Sequence, residues 1–253
     1  MPRTFVAFLM LCVLGTANAM APQRVTVIPD RAAGVIVSPH ARLMRFLMQP
    51  IDDPDRLRGY RVAILAADGV DGFDLEVPRR FLSEQGATVH VIVPRPAESP
   101  QGNRSDAAGQ GTTQLLVLEP SGEQRSALSD RFIDQVRGAD YDAVYLPSNR
   151  ASAKALTKPP EVAFVKQAAD EGKAIFAIGN SALLLLQAGL LDYKPTALSG
   201  GGSGNGPSPS STSTADVALV NGAVIFIGRD AFDVPVLMDN LIATLLGRPV
   251  ARR

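Results

Sequence analysis

The sequence predicts an α/β fold in which a doubly wound parallel sheet is sandwiched by helices. Two patterns and one bulk property carry that expectation. Short apolar runs such as Val62-Ala63-Ile64-Leu65 and Ala174-Ile175-Phe176-Ala177-Ile178 lack polar alternation, as strands buried on both faces do. Between such runs lie stretches with apolar residues at helical spacing, so strands and helices alternate along the chain. Of the 253 residues, 46% are hydrophobic, enough for a substantial core.

The chain opens with a basic start at Arg3 and an apolar run, Phe5 to Leu14, that is too short to span a bilayer. Ala17-Asn18-Ala19 supplies the small residues a signal peptidase reads, so residues 1–19 are expected to be a leader, with a cut after Ala21 as the alternative. The single cysteine, Cys12, would leave with it. The mature chain of roughly 230 residues is then expected to be soluble, without an integral membrane segment, and periplasmic or secreted. Residues 20–58 read as an extension with a β-like run at Val25 to Ile28, a helix over Ala41 to Met48, and a linker marked by Pro50, Asp52-Asp53 and Pro54.

The main domain is expected over 59–247. Tyr60 to Ala66 is its first strand, Asp68-Gly69 a turn, Leu75 to Gln85 a helix ended by Gly86, and Ala87 to Pro94 the second strand of a right-handed parallel crossover. A polar insertion near 98–113 precedes a small hairpin, Gln114 to Leu118 with its turn at Pro120-Ser121-Gly122. Tyr141 to Pro147 is a strand, Glu161 to Asp170 a helix, Ala174 to Ile178 a strand, and Ser181 to Ala188 a helix ended by Gly189. A Gly/Ser/Pro insertion at 199–215 is expected to be disordered. Val217 to Gly228 reads as a hairpin around Asn221-Gly222, and a last helix carries Val234, Leu237, Met238, Leu241, Ile242 and Leu245 on one face, with Asp233 as its cap. Residues 248–253 form a tail.

Charge and composition exclude several functions. Twenty-five basic residues balance 25 acidic ones, so no electrostatic footprint for nucleic acid is present. Without cysteine past the leader, disulfides, thiolate metal sites and iron–sulfur clusters are excluded. Two histidines, His40 and His90, are too few and too differently placed for a His-rich site. No cofactor or metal is expected.

In a doubly wound sheet the site lies beyond the carboxyl ends of the strands, where the loops at 68–73, 147–152 and 179–182 would converge. Those loops carry a pattern. Arg61 through Asp74 with Pro78, Tyr141 through Pro147, Gly172 through Ile178 continuing to Leu191, and Val217 through Leu246 resemble, in this order, the pieces of the ThiJ/PfpI superfamily, the class I glutamine-amidotransferase-like domains of flavodoxin type. The wording Ala66-Ala-Asp-Gly-Val-Asp-Gly72 and Lys173-Ala-Ile-Phe-Ala-Ile-Gly179 is most similar to the C-terminal domain of large-subunit catalases, an appendage that has lost its nucleophile. The haem motifs of a catalase core are absent.

The resemblance implies a flavodoxin-like doubly wound parallel sheet and a Cys-His pair directly after the nucleophile strand. Gly179-Asn180 stands there instead. The superfamily's acidic residue falls on Asp71, and its Gly-Gly loop, which offers backbone N–H groups to an oxyanion, becomes Ser148-Asn149. With all three elements changed, the expectation is a catalytically degenerate domain that binds a small molecule or a protein, homo-oligomerisation being compatible. Asp71, Ser148, Asn149, Arg150, Gly179 and Asn180 are the candidate lining residues. The alternative is a cofactorless enzyme, a hydrolase or a lyase/hydratase, using Ser181 or Asp71. Ser181 lacks the final glycine of a nucleophile elbow, since Leu183 stands there, and lacks a base; it reads as the N-cap of the next helix. Asp68, Asp71 and Asp74 read as turn and capping residues, with Asp71 the one that faces the pocket and Asp74 serving the helix that begins there. His90 reads as a structural residue inside a strand.

Overall fold

The computed structural model describes residues 23–25, 38–95, 112–192, 216–220 and 222–247. The insertion expected near 98–113 and the Gly/Ser/Pro run at 199–215 lie almost wholly outside the described residues, as do the leader and the tail.

Eight strands form the central sheet. In chain order they are β1 (Gln23–Val25), β2 (Arg61–Leu65), β4 (Thr88–Val93), β7 (Arg131–Phe132), β8 (Ala143–Leu146), β9 (Ala174–Ile178), β10 (Asp216–Val220) and β11 (Ala223–Gly228). Their spatial order is β1-β10-β11-β9-β8-β2-β4-β7. The six from β11 to β7 are parallel, and the β10–β11 hairpin and β1 add an antiparallel edge. A second, three-stranded sheet pairs β3 (Val70–Asp71) with β5 (Gln114–Leu118) and its hairpin partner β6 (Gln124–Leu128). The expected hairpin is therefore present, but it is docked on the turn after β2 rather than on the central sheet. β1 lies slightly upstream of the β-like run read at Val25 to Ile28.

Strand alternation sorts the core into two layers. Val62, Ile64, Tyr145, Phe176 and Ile178 point to one face, where α1 (Pro39–Met48), α2 (Gly72–Glu84) and α5 (Val234–Leu246) cover them. Ala63, Leu65, Val144, Leu146, Ile175 and Ala177 point to the other, under α3 (Pro159–Asp170) and α4 (Ala182–Gln187). Each fully buried Leu, Ile or Phe contributes about 1.5–3 kcal/mol relative to exposure; Phe176 and Phe226 also stack, with centroids 4.9 Å apart. Among the described residues no helix is long and apolar enough to cross a membrane.

Helix boundaries differ from expectation for reasons of capping. The first helix starts at Pro39 because the Ser38 hydroxyl accepts from the Ala41 N–H. The second starts at Gly72, three residues before Leu75, because Asp71 caps it. Asp233 precedes α5 but makes no side-chain cap bond; its carboxylate instead accepts the Arg229 N–H at 2.8 Å, and Asp230 takes the capping part by accepting from Phe232 N–H.

Candidate functional site at the strand ends

Two turns are zipped together beyond β2 and β8. Gly69 has φ +84°, and a Cβ there would fall 2.2 Å from the Ala151 Cβ, so only glycine fits. Its N–H donates to the Leu116 carbonyl at 2.8 Å, and its own carbonyl accepts from Arg150 N–H at 2.8 Å. Val70 bridges Asn149, and the Asp71 N–H donates to the Ser148 carbonyl at 2.9 Å. The Asn149 amide completes the lock: its Nδ2 donates to the Ala67 and Asp68 carbonyls at 3.2 and 2.9 Å, and its Oδ1 accepts from Ser152 N–H.

The turn after β9 is equally self-contained. Gly179 has φ +59°, and an added Cβ would meet the Ser148 Cβ at 3.1 Å. The Asn180 amide pairs with the backbone of Asn149 in both directions: Oδ1 accepts the Asn149 N–H at 2.9 Å, and Nδ2 donates to the Asn149 carbonyl at 2.7 Å. Ser181 is 5% exposed. Its Oγ accepts the Ile178 N–H at 3.1 Å and lies 2.8 Å from the Leu146 and Ile178 carbonyls, to which it can donate. It makes no capping bond to the following helix. The N-cap expectation is thus corrected: Ser181 staples the ends of β8 and β9, because a tight 3-10 turn at Gly179–Ser181 swings its hydroxyl back toward the strands.

The aspartates separate sharply. Asp71 is the N-cap, its Oδ1 accepting from the Phe73 and Asp74 N–H groups at 2.9 and 3.1 Å, while its Oδ2 takes the Arg150 guanidinium. Asp68 accepts the Leu116 N–H. Asp74, read as a capping residue, caps nothing. It is 3% exposed and takes the Ser148 hydroxyl on Oδ2, while Oδ1 has no hydrogen-bond partner, and neither has the hydroxyl of the fully buried Tyr145. Burial, then the charge of Asp71, push the Asp74 carboxyl up to about 7, against the hydrogen bonds of Ser148 and the Arg150 charge. Burial, then Asp74 and Asp71, keep the Tyr145 hydroxyl protonated well above its ordinary range.

Comparison with known proteins identifies the frame. The sequence profile of the DJ-1/PfpI family matches residues 60–198, more than half of the chain. The chain belongs to the DJ-1/PfpI family. It is 24% identical over 189 residues to DJ-1 protein homolog E of Arabidopsis thaliana, a match that spans 75% of this chain but only 46% of that protein. Among solved structures, a two-domain protein of Anabaena variabilis with DJ-1/ThiJ/PfpI-like and ferritin-like domains superposes at a TM-score of 0.50, with 18% identity, over 77% of this chain and 51% of that one. A DJ-1 superfamily protein of Salmonella typhimurium gives 0.50 at 20% identity, over 76% and 92% of the two chains. A ThiJ/PfpI domain protein of Brachyspira murdochii gives 0.50 at 12% identity, over 76% and 99%. These likenesses carry the fold.

On this DJ-1/PfpI frame, Asp71, Ser148, Asn149, Arg150, Gly179, Asn180 and Ser181 do come together at the strand ends, where their polar side chains are bonded to one another and to the surrounding backbone. The histidines do not join them. His90 Nδ1 lies 3.0 Å from the Tyr141 hydroxyl, the structural role read for it, and His40 sits on α1 with its ring 6.4 Å from that of Phe232. Sequence reasoning named Asp74 as a residue of the turn and helix start and so missed it as a buried acid, and it missed Tyr145 altogether. The one available signal was Tyr145 itself, a hydroxyl in the middle of an otherwise apolar strand.

Proposed function

We propose that the chain is an exported, catalytically degenerate member of the DJ-1/PfpI family that works by binding a small molecule or a protein. The observation that carries this reading is the Asn149–Asn180 pair. The Asn149 backbone N–H, which the superfamily pattern would offer to an oxyanion, is held by the Asn180 amide instead. Gly179 beside it has no side chain to act as nucleophile, and the Ser181 hydroxyl is engaged with main-chain groups and has no adjacent base. Kinship with the nucleophile-free appendage of large-subunit catalases, and export behind a leader of 19 or 21 residues, belong to the same proposal.

Purified protein is expected to turn over no ester, amide or methylglyoxal substrate, and protein recovered from outside the cytosol should begin at Met20 or Pro22 by mass spectrometry. Hydrolysis by the wild type that vanishes in Ser181→Ala would overturn the degenerate reading, and full-length protein found solely in the cytosol would overturn export.

One observation favours a second reading, a cofactorless lyase or hydratase. A buried carboxyl poised near neutrality suits general acid–base chemistry, and Asp74 is such a group. Turnover lost in Asp74→Asn yet kept in Ser181→Ala would establish it.

A further inference from the structure

A cleft of ≈ 740 Å³ opens away from these turns, between the end of β4, the turn after β7 and the start of α3. It shares no residue with the strand-end site. Ile133 and Phe164 supply apolar wall, and Arg95, Asp134, Lys158 and Glu161 supply charge. Arg95 and Asp134 satisfy each other through bonds of 2.8 and 3.2 Å. Glu161 is different: it is 0% exposed, no other side chain donates a hydrogen bond to either carboxylate oxygen, and burial raises its carboxyl against only its own backbone N–H and the Lys158 charge. Leaving a buried carboxyl unpaired is costly, and a structural role would ordinarily supply it with donors. The α3 amino end offers few, because Pro159 and Pro160 at its first positions have no N–H.

We infer that this cleft binds a small zwitterion with an apolar side chain, a free α-amino acid, whose ammonium pairs with Glu161, whose carboxylate meets Lys158, and whose side chain lies on Phe164 and Ile133. Each simpler ligand leaves a mismatch. A bare amine would satisfy Glu161 but face the Lys158 ammonium, and a bare carboxylate would satisfy Lys158 but sit against Glu161. Lys158 and Glu161 both line the cleft from the start of α3, so one molecule carrying both charges can meet both. The volume falls in the range of small-molecule sites. Glu161 has no accessible surface in the unliganded fold, so the ammonium reaches it only as the exposed Lys158 side chain and the first turn of α3 shift aside.

The test is calorimetric titration of the full chain with norleucine, hexylamine and hexanoate, which share an apolar tail and differ in charge. Norleucine should bind at least about tenfold more tightly than either single-charge probe. Glu161→Gln should weaken norleucine by about tenfold while leaving the melting temperature equal or higher, since an orphaned charge has been removed. Lys158→Ala, on an exposed residue that folding does not require, should bring norleucine down to the level of hexylamine. Equal affinities for the three probes, no binding of norleucine, or a norleucine affinity indifferent to Lys158→Ala would overturn the assignment. Gly179→Ala and Asp74→Asn should leave norleucine binding unchanged, so this inference and the strand-end reading fail separately.

Discussion

Asp233 and Asp74 both sit where a strand hands the chain to a helix, and their exposures of 1% and 3% do not distinguish them. Their partners do. Asp233 accepts the Arg229 N–H at 2.8 Å and lies 3.4 Å from the Arg229 guanidinium Nε, so the cation that desolvation calls for arrives from four residues upstream. Burial raises both carboxyls, but Arg229 pulls Asp233 back, whereas Asp74 has a second carboxylate, Asp71, as its neighbour. The difference teaches that burial sets the direction in which a carboxyl shifts, and that the charges and donors beside it decide how far it goes. Arg150, whose charge acts only weakly on Asp74, is committed to Asp71.

The largest expected effect breaks this comparison through pH. Below about 3.8 Asp74 holds its proton in both folded and unfolded chains; as pH rises toward about 7 the unfolded chain releases it and the folded chain does not. Stability from this group is therefore full at low pH, is lost through that interval, and levels off above about 7. A displacement of this size corresponds to roughly 4 kcal/mol. Asp74→Asn should flatten the pH dependence of the urea midpoint across the interval, and a variant with the wild-type slope would show that Asp74 is ionised in the fold. Next in size, Asp233→Ala should cost roughly 2–3 kcal/mol near neutral pH, because it strands the Arg229 N–H and part of its guanidinium; a loss below about 0.5 kcal/mol would erase the contrast between the two aspartates. The smallest is Gly179→Ala, expected to cost about 1–2 kcal/mol through its positive φ and its approach to Ser148. Calorimetric melting reads it, and a neutral result would mean that Ser148 shifts freely, loosening its hold on Asp74.

Much of the architecture was legible because strands buried on both faces leave an unmistakable apolar run, as at Ala174–Ile178, and because the last helix repeats its apolar residues cleanly. The docking of the β5–β6 hairpin on Val70–Asp71 was not, since a two-residue strand carries no periodicity. At the site, the residues that gather at the strand ends were named from their places in the motif. Their roles were harder to read. Asp68, Asp71 and Asp74 are three identical side chains spaced three apart; what separates cap from buried acid is the approach of Tyr145 and Ser148 from a strand some seventy residues away. Ser181 looked like a cap because serine before a helix usually is one, and a tight turn redirected it. Glu161 was invisible as anything but an ordinary helix-opening acid.

The central sheet finishes in a three-residue strand on one side and a two-residue strand on the other. Unpaired sheet borders invite other chains to add on, and very short terminal strands blunt that invitation. Here the blunting depends on reach, since β1 comes from the beginning of the chain and lies against β10, nearly two hundred residues later. A chain lacking the residues before Ser38 would keep the catalogue of buried contacts around Gly179 and Asp74 but would leave the whole of β10, five residues long and with Leu219 outward, as a free template. Such a chain would be expected to fold and then self-associate, so the backbone of β1 acts as a guard on the border of the sheet.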